Sequence, residues 1–381
     1  MRKLLLAGVC LLGLGAHQAS AQLVISANDA KVTLVNGVAT VLADRVPDSI
    51  TIMEFTPGGL RERARLPVPT SVVGPPLSVA ISPDNALALV TANQVPDPAD
   101  PTKLVNGNFM TAVALGETPR VLGRVPTGPG PAGLSFSPDG KLLIVANRGD
   151  GTVWVYRVRG PEVTELGKLS LGNAASLVSH AAFTPDGKHV LVSRYGDNRV
   201  SVLSVEGETV SKLPRDITPG ISPYAVNVTP DGKWAVVANM GSGQGDSDTV
   251  ALVDLQRQPF RVVDSIAVGQ TPEGMQVSPD NRHVAVTVMN GSNKPDTSPF
   301  RGPGQLRLLR IDNGRLRIVS TATIGTWAQG VAFSRDGRTV IAGNMIEHTI
   351  QAFRIDENGQ LVDTGRSVRV FGGSAALRTG R

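Results

Sequence analysis

The chain has 381 residues, of which 41% are apolar and 18% charged, with 42 Gly and 27 Pro. This balance excludes a disordered or collagen-like chain and suits short strands joined by tight turns. The formal net charge of +5, in which arginine outnumbers lysine, is too small to make a polyanion the main partner.

Arg2 and Lys3 precede an apolar run from Leu4 to Leu14, and Ala19-Ser20-Ala21 follows as a small-residue cleavage site. Residues 1–21 are therefore expected to be a signal peptide and 22–381 the exported domain, periplasmic or secreted. The run is too short to span a bilayer, and no later stretch reaches the roughly 20 apolar residues that a membrane helix needs. The only cysteine, Cys10, falls in the leader. The mature chain thus has no disulfide, thiolate metal site or cysteine nucleophile.

The first turn in the mature chain is Asn36-Gly37, between Val32–Val35 and Val38–Leu42. A stronger signature then recurs: Ser82-Pro83-Asp84-Asn85, Ser137-Pro138-Asp139-Gly140, Thr184-Pro185-Asp186-Gly187, Thr229-Pro230-Asp231-Gly232, Ser278-Pro279-Asp280-Asn281 and Ser334-Arg335-Asp336-Gly337. An alternating apolar run precedes each copy and a β-rich run follows it. Pro sets φ for the first turn position, Asp accepts local backbone hydrogen bonds, and Gly or Asn takes the left-handed position. Counting the Asn36-Gly37 hairpin as a divergent copy gives seven, at intervals of about fifty residues, which is a repeat architecture.

Each repeat holds more than one hairpin. In the third, 133–137, 142–147, 152–158 and 165–171 read as strands a to d, and the seventh repeats this at 330–334, 339–344, 349–355 and 367–371. Four antiparallel strands per unit, seven units and no helical periodicity predict an all-β fold, a seven-bladed β-propeller with four-stranded antiparallel blades. Residues 22–28 and 374–377 do not fit the repeat, and one or both are expected to close the ring. The Pro-Asp-Gly turns share one face with the c–d turns. The opposite face carries the longest b–c loops, at 93–107, 239–248 and 290–304, so binding is expected there.

The repeats resemble YVTN-type β-propellers and the related lactonase-like seven-bladed propellers. The residues that carry this are Ser/Thr-Pro-Asp-Gly-Lys followed by Ile144-Val145-Ala146-Asn147 or Val236-Val237-Ala238-Asn239, then a Thr-Val-rich strand c, over about residues 30–372. The sharpest local match runs from His180 through Thr184-Pro185-Asp186-Gly187-Lys188 to Arg194-Tyr195-Gly196-Asp197. It looks like a lactonase-type segment with a His before strand a and a polar cluster after strand b, which implies that His180 and Arg194 share a rim. The next blade departs from that pattern, with Tyr224 where a His and Met240 where an acidic residue would be expected.

The resemblance implies His180 as a general base toward a lactone carbonyl, with Arg194 steadying the oxyanion. The plainer reading of His180 is a hydrogen-bonded rim residue. Glu273 is the one carboxylate in an equivalent loop before strand a and would be an acid or charge partner, or simply solvated. Tyr195 follows strand b beside Arg194. Tyr224, Trp327 and Gln329 fall in d–a loops next to the axis and would floor a small-ligand site or pack between blades. The recurring Asn147, Asn239, Asn290 and Asn344 read as loop caps. His180, His189, His283 and His348 show no metal-ligand spacing, so neither metal nor cofactor is expected.

Three functional readings remain at this level. The first is a monomeric exported propeller that binds a small molecule, glycan or protein through its variable face. The alternative is a lactonase-like hydrolase centred on His180, Arg194 and Glu273. The third, nonspecific binding of DNA or another polyanion through Arg148, Arg194, Arg199 and Arg301, is the least expected.

Overall fold

The structure is a computed structural model that describes residues 22–56 and 59–380; the expected signal peptide lies outside the described residues. Seven four-stranded antiparallel sheets stand around a central axis. The described residues contain no α-helix, only single helical turns at Ala174–Ser176 and Tyr195–Asp197.

Blade 1 is assembled from both ends of the chain. Its inner strand a is the C-terminal Gly373–Thr379, followed outward by Leu23–Asp29, Ser49–Thr56 and Gly59–Pro67. Both segments that broke the repeat therefore close the ring, pairing from Val24↔Thr379 to Asp29↔Gly373. The hairpin at Asn36-Gly37 is not a blade hairpin. Val32–Val35 and Val38–Val41 form a separate two-stranded ribbon inserted in the b–c loop of blade 1. Its hairpin signal was real, but it has no neighbouring strands to pair with. Blade 2 carries a similar ribbon, Gln94–Pro96 with Leu104–Asn106, inside the expected loop 93–107.

Blades 3 to 7 run a to d in sequence order, from Pro131–Phe136 to Leu361–Arg369. The outermost strands differ most from expectation, with Glu162–Ser170 and Leu361–Arg369 in place of 165–171 and 367–371. They are mostly exposed, so burial does not mark their ends. The core lies between blades: Ile144 and Ala146 of blade 3 pack with Val178, Ala181 and Phe183 of blade 4. Burial of the larger of these side chains, Ile144, Val178 and Phe183, stabilises by about 1.5–3 kcal/mol each.

The turns use the expected chemistry. In blade 3 the Ser137 hydroxyl donates to Asp139 Oδ1 at 2.6 Å, and Asp139 accepts the Lys141 N–H at 3.1 Å. Ser137 Oγ accepts the Leu142 N–H. These bonds, the Ser137 hydroxyl foremost, hold the Asp139 carboxyl below its usual range. Gly140 sits at φ +73°. A Cβ there would lie 3.1 Å from Pro83 of the preceding blade's turn.

The b–c loop face is capped. Val72, Val32, Met289, Trp327, Met345 and Ala375 form an apolar cluster over that end of the axis. A buried ion network anchors the cap: Lys31 Nζ lies 2.9 Å from both Asp29 and Asp48 and also bonds the Thr70 carbonyl. Asp29 Oδ2 accepts the Val72 N–H at 2.8 Å, and Asp48 accepts those of Ala30 and Thr70. Three buried charges are tolerable because each is paired and hydrogen-bonded.

Candidate functional site

Beneath this cap the inner strands present one residue each at an equivalent position, second in the strand: Ser179, Tyr224, Glu273 and Gln329 in blades 4 to 7. A β-bulge at the start of each strand breaks the ladder at this point. Strand b of the preceding blade repairs it. Ser193 Oγ donates to the Tyr224 carbonyl at 2.7 Å and Thr287 Oγ1 to the Gln329 carbonyl at 2.5 Å. Each hydroxyl also accepts from its own blade, from the N–H of His180 and of Gly274 respectively.

At the next position the strands approach so closely that little side chain fits. A Cβ on Gly274 would lie 2.1 Å from the Gln329 carbonyl oxygen, and one on Gly330 would lie 2.3 Å from the Leu377 nitrogen. Blade 4 alone places a large residue there, His180. Gly133 makes room for it, since a Cβ on Gly133 would lie 2.4 Å from the His180 ring.

Glu273 is 4% exposed, and its Oε2 has no hydrogen-bond partner. Burial pushes its carboxyl up to about 8, against the opposing Arg148 charge and the adjoining Gln329 side chain. Gln329 is 1% exposed and its Oε1 is likewise unpartnered. Arg148 spans the cluster. Its guanidinium lies 5.4 Å from the Tyr195 ring centre and 5.6 Å from that of Tyr224, and it donates to Ser179 Oγ. The two tyrosines meet edge to face at 5.6 Å. Burial, with the Glu273 charge second, holds the Tyr224 phenol well above its ordinary value. Arg148 and Tyr195 are half-buried while Tyr224, Glu273 and Gln329 are buried, so the group runs from rim to interior.

Four of the sequence candidates, Glu273, Tyr195, Tyr224 and Gln329, thus come together. Trp327 joins the cap just before strand a of blade 7 rather than floor a pocket. Tyr224, Glu273, Gln329 and His180 lie inside inner strands, not in loops before them. His180 and Arg194 are not joined on one rim. Arg194 is held by Asp197, with Nε to Oδ2 at 2.7 Å, and by Asp216 at 2.9 Å. Those two carboxylates neutralise it. His180 is 1% exposed, and its Nδ1 accepts the Val226 N–H at 3.3 Å. Burial and the Arg378 charge pull its pKa down to about 3, so the ring is neutral with its proton on Nε2. In that tautomer the remaining ring nitrogen of His180 is a donor.

Sequence reasoning placed Arg148 only among possible polyanion contacts. The available signal was register: Arg148 follows Asn147 as Tyr195 follows Arg194, and Asn147 and Arg194 pair equivalently in their blades. The recurring asparagines are local caps, as in the 3.2 Å bond from Asn147 to Thr152 Oγ1 and the 3.1 Å bond from Asn344 to Thr349 Oγ1. Among the described residues no three His, Cys, Asp or Glu side chains group as metal ligands.

A second feature was not expected on its face. A cavity of about 690 Å³ opens among the Pro-Asp-Gly turns and runs inward along the axis to His180. The cap closes the other end.

The family model for "Lactonase, 7-bladed beta-propeller" matches residues 106–209 and 179–295. The chain belongs to the lactonase-like seven-bladed propellers. No curated protein matches this lactonase-like propeller. Among solved structures, it is similar to a candidate 6-phosphogluconolactonase from Bacteroides fragilis, with 16% identity, TM-score 0.74, and 96% of this chain and 99% of that one covered. The periplasmic gluconolactonase PpgL of Pseudomonas aeruginosa aligns at 20% identity and TM-score 0.68, over 95% and 99% of the two chains. Hydrazine synthase of Kuenenia stuttgartiensis aligns at 19% and TM-score 0.63, over 81% and 90%. Identities this low show a shared fold. No helix among the described residues is long and apolar enough to cross a membrane.

Proposed function

We propose that this lactonase-like propeller hydrolyses a lactone at the Arg148–Glu273 cluster. The single observation that carries the reading is the buried Glu273 carboxyl, with an unpartnered oxygen, in the field of the Arg148 guanidinium. A carboxyl held near 8 is a stronger base than an ordinary Glu, although only roughly a tenth is ionised at neutral pH. Ionised Glu273 takes a proton from water, and the hydroxide adds to the lactone carbonyl carbon. Arg148 faces the negative charge that develops on the carbonyl oxygen. The ring C–O bond then breaks, and Glu273 returns the proton to the departing alkoxide, which leaves an open hydroxy acid. Tyr195 and Tyr224 offer the flat apolar and hydroxyl surfaces that suit a sugar ring.

Kinship with the gluconolactonase propeller supports an aldonolactone as substrate, and its periplasmic setting agrees with the leader-like residues 1–21. The test is acid release from glucono-, galactono- and 6-phosphogluconolactone by the parent protein and by Glu273→Gln. Hydrolysis above the spontaneous rate, lost in the variant, is expected. No acceleration for any of them, or an unchanged rate in Glu273→Gln, would remove this reading.

A further inference from the structure

The axial cavity lies outside the loop-face cluster, and the repeat itself builds its mouth. The turn prolines Pro83, Pro138, Pro185, Pro230 and Pro279 all line it. They follow one another around the axis: a Cβ on Gly140 would lie 3.1 Å from Pro83, and one on Gly187 would lie 3.6 Å from Pro138. Phe136, Phe183 and Phe333, each one residue before its turn, line the cavity as well. The collar is apolar, and the pyrrolidine rings make it stiff.

The lining calls for no ligand charge. Arg335 and Arg378 belong to it, but both are engaged in interactions of their own, and no lining residue is acidic. The Asn227 amide donates to the Met275 carbonyl at 2.7 Å. Among the described lining residues one buried polar atom is unmatched, Nε2 of His180 at the inner end. One flank of that ring, Cδ2, faces blade 3, where a Cβ on Gly133 would lie 2.4 Å from it. The other flank, Nδ1, accepts the Val226 N–H of blade 5 at 3.3 Å. The distal edge with Nε2–H therefore faces the axis.

We propose that the funnel on the tight-turn face is a binding site for a small uncharged molecule with an apolar ring and one carbonyl oxygen. The ring lies within the collar, and the oxygen accepts the Nε2–H of His180. A buried donor without a partner costs free energy, and a carbonyl that reaches it recovers that cost. His180 and Phe183 stand three residues apart on one strand, about 10 Å, which is the length of an aromatic ring with a carbonyl group attached. The volume of about 690 Å³ lies within the roughly 300–1,000 Å³ range of small-ligand sites. The site opens on the face opposite the Arg148–Glu273 cluster and does not depend on the hydrolase reading.

The experiment is titration of the full mature protein with acetophenone, with its carbonyl-free counterpart ethylbenzene and with benzoate, followed through the ring-nitrogen resonances of isotope-labelled histidine. His180→Phe identifies the His180 signal, and Ser135→Phe fills the funnel from a half-buried lining position, so the test stands even where the first variant does not fold. The expected result is saturable binding of acetophenone that moves the His180 Nε2 resonance. Its affinity should exceed that of ethylbenzene about fivefold, the worth of one neutral hydrogen bond, and Ser135→Phe should abolish it. The proposal is overturned if acetophenone does not saturate at millimolar concentration, if it binds without moving the His180 signal, or if binding survives Ser135→Phe. Ethylbenzene binding as tightly as acetophenone would remove the carbonyl, and tighter binding of benzoate would make the ligand an anion; either result also overturns it.

Discussion

The Arg148 guanidinium lies over the ring of Tyr224, 5.6 Å from its centre, and so joins the b–c loop of blade 3 to the inner strand of blade 5. The sequence separates these residues by a whole blade. Cation–aromatic contact with two tyrosines holds the charge in the neighbourhood of Glu273. Arg148→Met should keep the fold and lower lactone hydrolysis by about 10²–10³, the usual cost of removing an oxyanion partner. It should also raise the pKa of Glu273 further, because the opposing charge is gone. The pH–rate profiles of the two proteins check both.

With Glu273 as the base, hydrolysis should rise with pH. Its carboxyl is raised from 4.5 to about 8, so the basic form accumulates up to that pH and the rate should level off above it. A bell centred below pH 6 would contradict the assignment.

The same shift predicts a stability slope. Between about 4.5 and 8 the folded protein keeps a proton that the unfolded chain releases, so stability falls as pH rises. His180 acts oppositely. Its pKa drops from 6.5 to about 3, so its contribution is lost as pH falls below 6.5. The window from 6.5 to 8 therefore isolates Glu273. Urea melts at pH 6.5 and 8.5 should show the parent weakening with alkalinity more than Glu273→Gln.

Arg194 is a structural ion-pair centre. Arg194→Leu leaves Asp197 and Asp216 without their shared partner and should cost about 1–3 kcal/mol. Turnover per folded molecule should stay unchanged, which acid-release rates normalised to the folded fraction would show. A selective loss of turnover would put Arg194 back in the site.

Gly140 at φ +73° abuts Pro83 of the preceding blade's turn. Gly140→Val adds both left-handed strain and a contact with that ring, and should lower stability by about 1–3 kcal/mol. Equal thermal midpoints for variant and parent would contradict it.

Removal of residues 373–381 should cost far more than any point change. It deletes the strand that carries Ala376 and Leu377 into the blade 1 core and opens the ring. Loss of the cooperative thermal transition is expected, and a sharp transition near the parent's would mean that the ring closes otherwise.

The repeat was legible because its signal is local: a Ser or Thr hydroxyl, an Asp carboxylate and a left-handed residue make their bonds within five positions of one another, so the residues alone set the hairpins of six blades, while the seventh copy counted at Asn36-Gly37 is a ribbon and the chain ends supply the seventh blade. Glu273, Tyr195, Tyr224 and Gln329 could be singled out for the same reason, since each holds a fixed place relative to a turn. Three things were decided only by packing between distant parts of the chain. Leu23–Asp29 and Gly373–Thr379 complete blade 1 because each end alone leaves an unpaired edge, whereas the hairpin at Asn36-Gly37 has no neighbouring strand and stays a ribbon. Arg148 reaches Glu273 only once the blades stand in a circle, while Arg194 is claimed by Asp216 from its own blade. The Lys31–Asp29–Asp48 network and the Trp327 cluster shut the loop end of the axis, so the cavity opens among the uniform turns. Side-chain burial and charge pairing across blades have no counterpart in local spacing, and they set which polar groups face one another.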